Sequence, residues 1–367
     1  MRILILANDD SGLYEFRREL LERLITEHEV YFTVPAGNLV SRTEALGCKY
    51  IPCDALKRHG VNPLQELKLL DFYKNLLDDI KPGIVFTYTI KPNVYGGMAC
   101  IKKNIPYVAN ITGLGTAVEN GGLMQKITLE MYRLGLRKAQ KVFFQNTENR
   151  DFMTQKHVIK TDCDLLPGSG VNLTRFKAFP YPTGETVDFL FVGRLMKEKG
   201  IDQYLDAAKA IRKKYPETRF HICGTYEQDY EEKVDRLISD GTVIFHGDVV
   251  DMVPMYQKAS CVIHPSYYPE GLSNVLLEAS ACARPIITTN RPGCREVIDN
   301  GVNGYVVNQK DSLDLICKVE KFLGLGINER RAMGLAGRAK VEKGFDRQIV
   351  IQKYVDEVEK ARKTTKR

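Results

Sequence analysis

Residues 264–278 read HPSYYPEGLSNVLLE, and they follow an apolar, strand-like run at residues 260–263. The segment crosses a turn rich in Pro and Gly and then takes on the composition of a helix, which we expect to begin at Gly271 and Leu272. The free N–H groups at the start of a helix, and the positive end of its dipole, favour a bound anion such as a diphosphate. Ser273 keeps that first turn polar. The segment therefore predicts a strand, a turn and a helix whose start faces an anion.

Two glutamates frame this helix start. Glu270 stands before the helix and Glu278 two turns inside it, about 12 Å away if the rise were helical throughout. Because like charges repel, Glu278 is poorly suited to the anion and better placed to accept hydrogen bonds from hydroxyls, as a ribose offers. Glu270 could do the same for a second ring of hydroxyls. The alternative interpretation is an ordinary amphipathic helix with two solvated acids.

A second group of polar residues follows the buried-strand pattern VDFLFVG, which ends at Gly193, itself a candidate donor contact. The next residues, 194–200, read RLMKEKG and contain Arg194 and Lys199. Open α/β sheets bind their ligands at the carboxyl ends of strands. Arginine offers a planar fork and lysine a point charge, and both suit a diphosphate. The alternative interpretation is a basic surface loop.

Together the two motifs resemble the retaining family 4 glycosyltransferases of the GT-B fold. The resemblance rests on GRLxxxKG at residues 193–200 and on PEGLSNVLLEA at residues 269–279, which contains that family's E-x7-E pair. In the first half, YEFR at residues 14–17 and NITGLG at residues 110–115 resemble bacterial members that extend sugars on undecaprenyl diphosphate, among them α-1,3-N-acetylgalactosaminyltransferases. The resemblance implies an α/β architecture of two Rossmann-like parallel-sheet domains that face each other across a cleft.

The resemblance also implies a function. The chain would be a hexosyltransferase that moves a hexose or N-acetylhexosamine from a UDP-sugar to a saccharide acceptor, carried on undecaprenyl diphosphate, in surface polysaccharide or glycan assembly. Arg194 and Lys199, with the helix start, would stabilise the departing diphosphate where charge develops. Glu278 would hold the ribose and Glu270 the transferred sugar. The anomeric configuration would be retained by a front-face route in which the leaving phosphate takes the acceptor proton, and no metal would be needed.

Two alternatives stay open on the sequence alone. A UDP-sugar epimerase of the same fold would need a general acid and a general base, and no persuasive pair is visible. A non-catalytic nucleotide-sugar-binding subunit of an assembly complex is the other, and the intact set of Arg194, Lys199, Glu270 and Glu278 argues against it.

Five further positions are candidate donor contacts. The loop after the first strand contains Gly12, whose lack of a side chain would let backbone approach a phosphate or a sugar. Many of the resembling enzymes carry a histidine near the NITGLG segment that touches the donor sugar, and this chain has none there. Asn110, Thr112 or the backbone of Gly113 would then take its place. Tyr226, at the carboxyl end of a neighbouring strand, is a candidate stacking partner for uracil.

The composition is that of a globular chain with reduced cysteines. Its 367 residues are 44% hydrophobic and 27% charged, and no apolar run is long enough for a membrane helix. The opening MRILILA is followed at once by NDD, which favours a first strand over a signal peptide. The nine cysteines have no metal-ligand spacing and are typical of buried thiols in a cytoplasmic protein. Asp162 and Asp164 form a D-x-D metal motif only formally, because no second ligand cluster accompanies them.

The net charge of +7 is a further indication of the partners. A net positive charge favours binding to nucleic acid, to an anionic membrane surface or to phosphorylated substrates. The charge is dispersed along the sequence, and no nucleic-acid-binding signature accompanies it. We expect cations of the tail and of the first helix to hold the protein reversibly against the inner face of the cytoplasmic membrane. The alternative is a frayed, solvated tail. The cations concerned are Arg17, Arg18, Arg23, Arg362, Lys363, Lys366 and Arg367.

Strand-like runs alternate with helical patterns along the chain, which indicates parallel sheets with helices on both faces. A break rich in Pro and Gly predicts an acceptor-side domain at 1–170, a linker at 171–184 and a nucleotide-sugar-binding domain at 185–345. The resemblance implies that the terminal helix, about 346–367, crosses back to the first domain. The predicted strands are 2–7, 29–34, 48–52, 84–89, 106–111, 141–145, 163–166, 187–193, 219–223, 242–246, 260–264, 285–288 and 304–307.

Overall fold

The computed structural model describes residues 1–56, 62–119 and 121–365. Strands and helices alternate over those residues, and the chain divides into two compact units. The first unit contains residues 1–169 and 348–367, and the second contains residues 170–347. Each unit is built on one parallel sheet with helices on both faces, so the predicted fold class is confirmed.

The first unit has a sheet of seven strands in the order β3-β2-β1-β4-β5-β6-β7, and every neighbouring pair is parallel. Each strand overlaps a predicted run, including the weak candidates at 48–52 and 163–166. The strands are β1 Arg2–Leu6, β2 Glu29–Val34, β3 Lys49–Pro52, β4 Ile84–Tyr88, β5 Tyr107–Ile111, β6 Lys141–Phe144 and β7 Cys163–Leu165.

Helices cover both faces of this sheet, which is why the central strands β4 and β5 are buried along their whole length. One face packs against α3, α4 and α6, and the other packs against α1. A π-helical turn at Pro92–Gly96 leads directly into α4. The helices that follow these strands are α1 Asp10–Ile25, α2 Val40–Ala45, α3 Pro63–Ile80, α4 Gly97–Lys103, α5 Gly115–Glu119, α6 Gly122–Leu136 and α7 Thr147–Gln155.

The second unit has a parallel sheet of six strands in the order β10-β9-β8-β11-β12-β13. Its strands are β8 Val187–Val192, β9 Thr218–Cys223, β10 Ile244–Phe245, β11 Cys261–His264, β12 Ile286–Thr289 and β13 Gly304–Val307. Its helices are α8 Ile201–Lys214, α9 Glu231–Ser239, α10 Val253–Lys258, α11 Asn274–Ala281, α12 Ser312–Leu323 and α13 Ile327–Gly344. All six strands overlap predicted runs.

The last helix, α14, runs Arg347–Thr365 and packs in the first unit although it follows the second along the chain. Its sequence looks polar, but one stripe of it is buried: Val350, Tyr354 and Val358 join the core formed by α1 and the sheet. The ring of Tyr354 packs edge-on against Phe86 of β4, at 4.9 Å between ring centroids. Apolar residues four apart are enough to bury one face of a helix whose other face is charged.

The first helix, α1, begins at Asp10, inside the segment that was expected to be the loop after the first strand. Asp9 is the N-cap of α1, and its carboxylate accepts the Gly12 N–H at 2.6 Å. An Asp at this position satisfies one of the open N–H groups of a helix start. Gly12 therefore lies in the first turn of α1 rather than in a loop. The cap already uses the Gly12 N–H, and an approach of this backbone to a phosphate or a sugar stays a prediction.

The formal D-x-D pair lies in β7 and next to it, and both carboxylates contact lysines. Asp162 pairs with Lys141 of β6, and Asp164 accepts a hydrogen bond of 2.6 Å from Lys353 of α14. Each carboxylate is thus held by a cation of the same unit. Within the described residues, no group of three or more His, Cys, Asp or Glu side chains has a metal-binding arrangement.

Over the same part of the chain, no helix combines the length and the apolarity that crossing a bilayer requires.

Candidate active site

The predicted diphosphate loop and the predicted helix start meet in the second unit. β8 and β11 are neighbours, and their carboxyl ends lead into residues 194–200 and 265–273. Gly200 has a φ of +77°, and a Cβ there would lie 2.2 Å from the carbonyl oxygen of Pro265. Only glycine allows the two loops to pack so closely. The Tyr267 N–H joins them again by donating to the Glu198 carbonyl at 2.8 Å.

The Lys199 ammonium contacts the Glu270 carboxylate across these two loops. Both side chains are largely buried, at 14% and 13% exposed. Burial acts to raise the pKa of Glu270, but Lys199 and His264 outweigh it and hold that pKa well below its ordinary value. Glu270 is therefore a carboxylate at neutral pH, which accepts hydrogen bonds and has no proton to give.

A serine and a histidine complete the surroundings of Glu270. The Ser266 hydroxyl donates to the Glu270 carboxylate at 3.2 Å, and His264 Nε2 lies 3.7 Å from the same oxygen. His264 is buried at the end of β11, and its Nε2 also lies 3.1 Å from the Ser273 hydroxyl. Side chains from both loops thus fix the orientation of one carboxylate.

Arg194 lies at the rim of this group. Its guanidinium donates to Glu227 at 3.0 Å, and both partners are partly exposed. The ring of Tyr268 contacts both predicted diphosphate ligands, with its centroid 5.5 Å from the Arg194 guanidinium and 5.2 Å from the Lys199 ammonium. The two cations therefore share one aromatic neighbour, and an incoming anion would compete with Glu227 for Arg194.

The helix begins three residues later than predicted. α11 starts at Asn274 with Ser273 as its N-cap, so Gly271 and Leu272 lie in the preceding turn. The Ser273 N–H donates to the Gly293 carbonyl at 2.8 Å, which keeps this residue extended. The Ser273 hydroxyl does not cap the helix. The first N–H groups of α11 have no acceptor within the helix and remain suited to an anion.

Glu278 is the fifth residue of α11, which places it just over one turn inside the helix rather than two. Its carboxylate accepts a hydrogen bond of 2.9 Å from the Tyr256 hydroxyl. Tyr256, on α10, is fully buried, and burial together with the charge of Glu278 raises its pKa well above the ordinary value. Tyr256 is therefore a permanently protonated donor that orients the Glu278 carboxylate.

A third loop, after β12, borders the turn before α11. Gly293 has a φ of +89°, and a Cβ there would lie 2.9 Å from the carbonyl oxygen of Gly271. Its N–H donates to Glu296 at 2.7 Å. This loop was not predicted as part of the site, although Pro292-Gly293 after a strand is a recognisable turn signal.

Three ring side chains of the site were not assigned to it from the sequence. His264 and Tyr268 lie inside the quoted stretch 264–278, so their position in the motif was an available signal. Tyr256 precedes Glu278 by 22 residues, and no local pattern connects the two.

Two further predicted contacts are at the carboxyl ends of β8 and β9. Gly193 has a φ of +148°. A Cβ at Gly224 would lie 1.8 Å from the Gly193 carbonyl oxygen, so the ends of β8 and β9 can approach only because Gly224 has no side chain. The ring of Tyr226 packs on Phe245, with 5.1 Å between ring centroids, at the border of the core. Stacking of Tyr226 on a nucleobase stays a prediction.

The remaining predicted contacts lie in the first unit. Asn110 is fully buried at the end of β5, and its amide nitrogen donates to the Tyr354 hydroxyl at 2.8 Å. This contact ties β5 to α14, and a contact of Asn110 with the donor stays a prediction. Thr112 and Gly113 are half-buried in the turn between β5 and α5. Contacts of these two residues with a donor stay predictions.

Two family models match most of the chain. Residues 2–146 match the model described as glycosyl transferase 4-like, and residues 175–340 match glycosyl transferases group 1. The second match contains both loops of the candidate site. The chain therefore belongs to the glycosyltransferases of the GT-B fold and is a hexosyltransferase.

Similar proteins of named function support the assignment to this family. The N,N'-diacetylbacillosaminyl-diphospho-undecaprenol alpha-1,3-N-acetylgalactosaminyltransferase of Campylobacter jejuni is 25% identical over 376 residues, covering 97% of each chain. The capsular polysaccharide biosynthesis glycosyltransferase CapM of Staphylococcus aureus is 30% identical over 165 residues, which are 44% of this chain and 42% of that protein. Among solved structures, Anabaena HepE in complex with UDP and glucose has a TM-score of 0.81 at 17% identity, covering 98% of this chain and 99% of that one.

Proposed function

We propose that this chain is a retaining glycosyltransferase that moves a hexose or N-acetylhexosamine from a UDP-sugar to a saccharide acceptor carried on a lipid diphosphate. The observation that carries the proposal is the buried Lys199–Glu270 pair beside the start of α11. The cation and the helix start suit a diphosphate, and the carboxylate suits sugar hydroxyls. A nucleotide sugar offers both groups in one molecule.

The donor is assigned from complementary chemistry at three places. Lys199, Arg194 and the first N–H groups of α11 bind the diphosphate. Glu278, held by Tyr256, accepts hydrogen bonds from the ribose. Glu270, which stays ionised, accepts hydrogen bonds from the hydroxyls of the transferred sugar. UDP is the proposed nucleotide because HepE, which shares the fold, was crystallised with UDP.

The transfer step requires no covalent bond between the sugar and the protein. The bond between the anomeric carbon and the β-phosphate oxygen breaks, and the acceptor oxygen bonds to that carbon on the same face. The acceptor proton passes to the leaving phosphate. Lys199 and Arg194 stabilise the negative charge that develops on the diphosphate, which is where preorganised cations lower a barrier most. Since these cations serve the leaving group, the reaction is expected to proceed without a metal.

The acceptor is assigned from the relatives. The C. jejuni enzyme acts on a sugar linked to diphospho-undecaprenol, and CapM belongs to capsular polysaccharide biosynthesis, by their names. A saccharide on a polyprenyl diphosphate is therefore the proposed acceptor class, and surface glycan assembly the proposed process.

A donor screen followed by a turnover assay tests the proposal. UDP-sugars should raise the unfolding temperature of the protein by mass action more than GDP- or ADP-sugars do. The donor that stabilises best should then release UDP rapidly only when a lipid-diphosphate saccharide is present, and EDTA should not slow the release. The linkage of the product, determined by NMR, should keep the anomeric configuration of the donor.

Three results would contradict parts of the proposal. A larger rise in unfolding temperature with a GDP- or ADP-sugar than with any UDP-sugar would show that the donor carries another nucleotide. Interconversion of UDP-sugars without an acceptor would favour an epimerase. Loss of turnover in EDTA that magnesium or manganese restores would show a metal requirement.

A further inference from the structure

The order of the strands creates the same kind of crevice in both sheets. In the first sheet the chain runs outward from β1 through β2 to β3 and then continues on the other side of β1 with β4. In the second it runs outward from β8 to β10 and continues on the other side of β8 with β11. Open α/β sheets bind ligands at such switch points, outside the carboxyl ends of the strands. The candidate active site lies between β8 and β11, so the fold favours a second ligand between β1 and β4. We refer to this place as the β1–β4 crevice; residues 7–10 and 89–91 border it.

Thr89, the first residue after β4, has a strained backbone. Its φ is +71°, a left-handed conformation that a β-branched residue rarely adopts. The Thr89 carbonyl accepts the Asn93 N–H at 3.0 Å, and the buried Asn93 side chain donates to the Asn110 carbonyl at 2.9 Å. Strained residues persist where their surroundings fix them, and they cluster at binding sites. Thr89 Oγ1 is buried and has no hydrogen-bond partner among the described residues, so the fold fixes a hydroxyl that it does not use itself.

A buried ion pair lies beside Thr89. The Lys91 ammonium contacts Glu66 Oε1 at 2.7 Å, and the two side chains are 17% and 8% exposed. The other oxygen of Glu66, Oε2, is buried and has no hydrogen-bond partner within residues 1–56, 62–119 and 121–365. Lys91 directly precedes the π-helical turn, a form of helix that is frequent at functional sites. Tyr95 of that turn lies near the same carboxylate, because burial and the charge of Glu66 raise the pKa of Tyr95. The pair therefore holds one carboxylate oxygen available at the crevice.

A buried amide lies at the same edge of the sheet. Gln145 directly follows β6, two strands away from β4, and is 6% exposed. Its Nε2 has no hydrogen-bond partner in the part of the chain that the structure describes. Buried polar groups are almost always paired, because an unpaired one keeps the full cost of its desolvation. A hydroxyl, a carboxylate oxygen and an amide in this state at one carboxyl edge point to a polar ligand.

The charges around the crevice favour a neutral ligand over an anion. Lys91 is paired with Glu66, and the residues on the β1 side include Asp9 and Asp10. Arg17 of α1, which is buried, adds a second cation. Three carboxylates against two cations disfavour a phosphate. Sugar hydroxyls both donate and accept hydrogen bonds, so they can pair with the carboxylate, the threonine hydroxyl and the amide alike.

We propose that the β1–β4 crevice binds the acceptor saccharide, and that Glu66 and Thr89 determine which sugar is accepted. Glu66 Oε2 accepts hydrogen bonds from sugar hydroxyls, and Lys91 holds that carboxylate in position. Thr89 Oγ1 pairs with a further hydroxyl of the same sugar. This assignment rests on the proposed function for the nature of the substrate, a saccharide that receives the transferred sugar, and it names the residues that select it.

The net positive charge of the first unit is not concentrated at this crevice. The first unit holds 28 Lys and Arg against 22 Asp and Glu, a net of +6, whereas the second holds 25 against 24, a net of +1. Of the cations expected at a membrane, Arg18 and Arg23 each pair with a glutamate four residues further on. Lys366 and Arg367 lie outside the described residues. Attachment to a membrane through these cations stays a prediction, and the crevice does not depend on it.

Saturation-transfer NMR on the full chain tests the proposal, with UDP in excess to occupy the nucleotide site. The probes are glucose, galactose, N-acetylglucosamine and N-acetylgalactosamine, each added alone, and the wild type should give a signal with at least one of them. Thr89→Gly should weaken the binding of that sugar about fivefold, since a hydrogen bond contributes about that much. It should still unfold near the wild-type temperature, because glycine adopts this φ without strain. Thr89→Ser, which keeps the hydroxyl, should bind like the wild type.

The carboxylate is tested by a matched pair of variants on α3. Glu66→Gln should abolish the sugar signal. Asp78→Asn removes another carboxylate of the same helix, one that pairs with Lys103 of α4, and should leave the signal unchanged. Because Glu66→Gln leaves Lys91 buried without its partner and can lower stability, Thr89→Gly decides the proposal if the glutamine variant does not fold. Sodium pyrophosphate should not displace the sugar from the wild type.

The other outcomes also have defined meanings. No signal from any of the four sugars, or an equal signal in the wild type and Thr89→Gly, would overturn the proposal. Displacement by pyrophosphate would assign the crevice to a phosphate group instead. A signal that Glu270→Gln abolishes and Thr89→Gly preserves would place the sugar in the donor site only. UDP affinity, measured by calorimetry on the same variants, should not change; a wild type that binds the sugar but not UDP would contradict the proposed function and leave the crevice intact.

Discussion

Lys199 and His264 together hold the pKa of Glu270 below its ordinary value, and the ion pair makes the position of the carboxylate dependent on Lys199. Removing Lys199 leaves a largely buried carboxylate without its strongest partner. Breaking a buried pair from one side is costly because the other charge remains desolvated. The pair therefore links the stability of the site to its proposed chemistry.

The first prediction concerns the two cations. Lys199→Ala should lower turnover more than about tenfold and destabilise the protein by about 3 kcal/mol. Arg194→Ala should lower turnover similarly with little loss of stability, because its pair with Glu227 is exposed. In the double variant the loss of turnover should be smaller than the two single losses combined, because both cations contact the same diphosphate. The control is Lys214→Ala, which removes an exposed pair with Glu320; wild-type turnover in both site variants would contradict the assignment.

The second prediction concerns the ribose. Tyr256→Phe removes a hydrogen bond to a carboxylate, worth about 1.5–3 kcal/mol, and should weaken UDP binding about tenfold or more. Because Tyr256 acts through Glu278, Tyr256→Phe should cost little further affinity when it is added to Glu278→Gln. Tyr204→Phe is a matched control, because its buried hydroxyl bonds only to backbone carbonyls of the same unit. Calorimetry with UDP measures all three; unchanged affinity in Tyr256→Phe would exclude this positioning role.

The third prediction concerns acid. Burial would raise the pKa of Glu270, but Lys199 and His264 depress it below its ordinary value of 4.5. A depressed pKa contributes stability above the unfolded value, and that contribution disappears as pH falls through the folded value. The free-energy difference between wild type and Glu270→Gln should therefore be constant from pH 7 to about pH 5 and shrink below about pH 4. Denaturant titrations at each pH measure it, and a difference that grows with acid would contradict the pairing.

At the scale of elements, the site depends on glycines that let loops approach one another. Gly200 allows the loop after β8 to touch the start of the loop after β11, and Gly293 lets the loop after β12 approach the turn before α11. The loops themselves have little regular structure. Their relative position is decided by close backbone contacts, which tolerate no side chain.

The fourth prediction compares two glycines of nearly equal backbone geometry. Gly200 and Gly241 have φ of +77° and +75°, but a Cβ meets Pro265 at 2.2 Å in the first and nothing within 4 Å in the second. Gly241→Ala should cost about 1–2 kcal/mol from backbone strain alone. Gly200→Ala should cost clearly more and should also lower turnover, because it displaces Lys199. Thermal unfolding and turnover measurements on the two variants test this prediction. Equal effects of the two substitutions would show that the close approach of Gly200 to Pro265 is unimportant.

At the scale of the whole molecule, the proposed tasks are divided between the units. Both loops that we assign to the donor, and Tyr256 behind them, belong to residues 170–347. The first unit, which carries almost all of the net charge, contributes none of these residues. α14 follows the second unit along the chain but packs in the first, so the first unit is completed only by the end of the chain.

The fifth prediction follows from that division. UDP alone should slow amide hydrogen exchange mainly in residues 193–200 and 264–281 of the second unit, because bound ligand suppresses local opening where it binds. The core of the first unit around β1 should exchange at an unchanged rate. Mass spectrometry of proteolytic peptides measures both. Protection confined to the first unit would contradict the donor site.

Local patterns in the sequence were enough to predict every described strand, both loops and the class of enzyme. Strand periodicity, the GRLxxxKG run and the E-x7-E pair each act over a few residues, where burial and turn formation leave a direct trace. The start of α11 was misplaced by three residues because the Ser273 N–H bonds to Gly293, on a loop that follows another strand.

Contacts between residues that are far apart in the sequence could not be predicted and are seen only in the folded chain. Asn110 and Tyr354 are 244 residues apart in sequence, and Tyr256 reaches Glu278 only because α10 and α11 pack in one unit. Such partners leave no local pattern, because sheet order and helix packing, rather than spacing along the chain, bring them together. The sequence therefore determined the chemistry that is available, and the tertiary structure decided which side chains hold it in place.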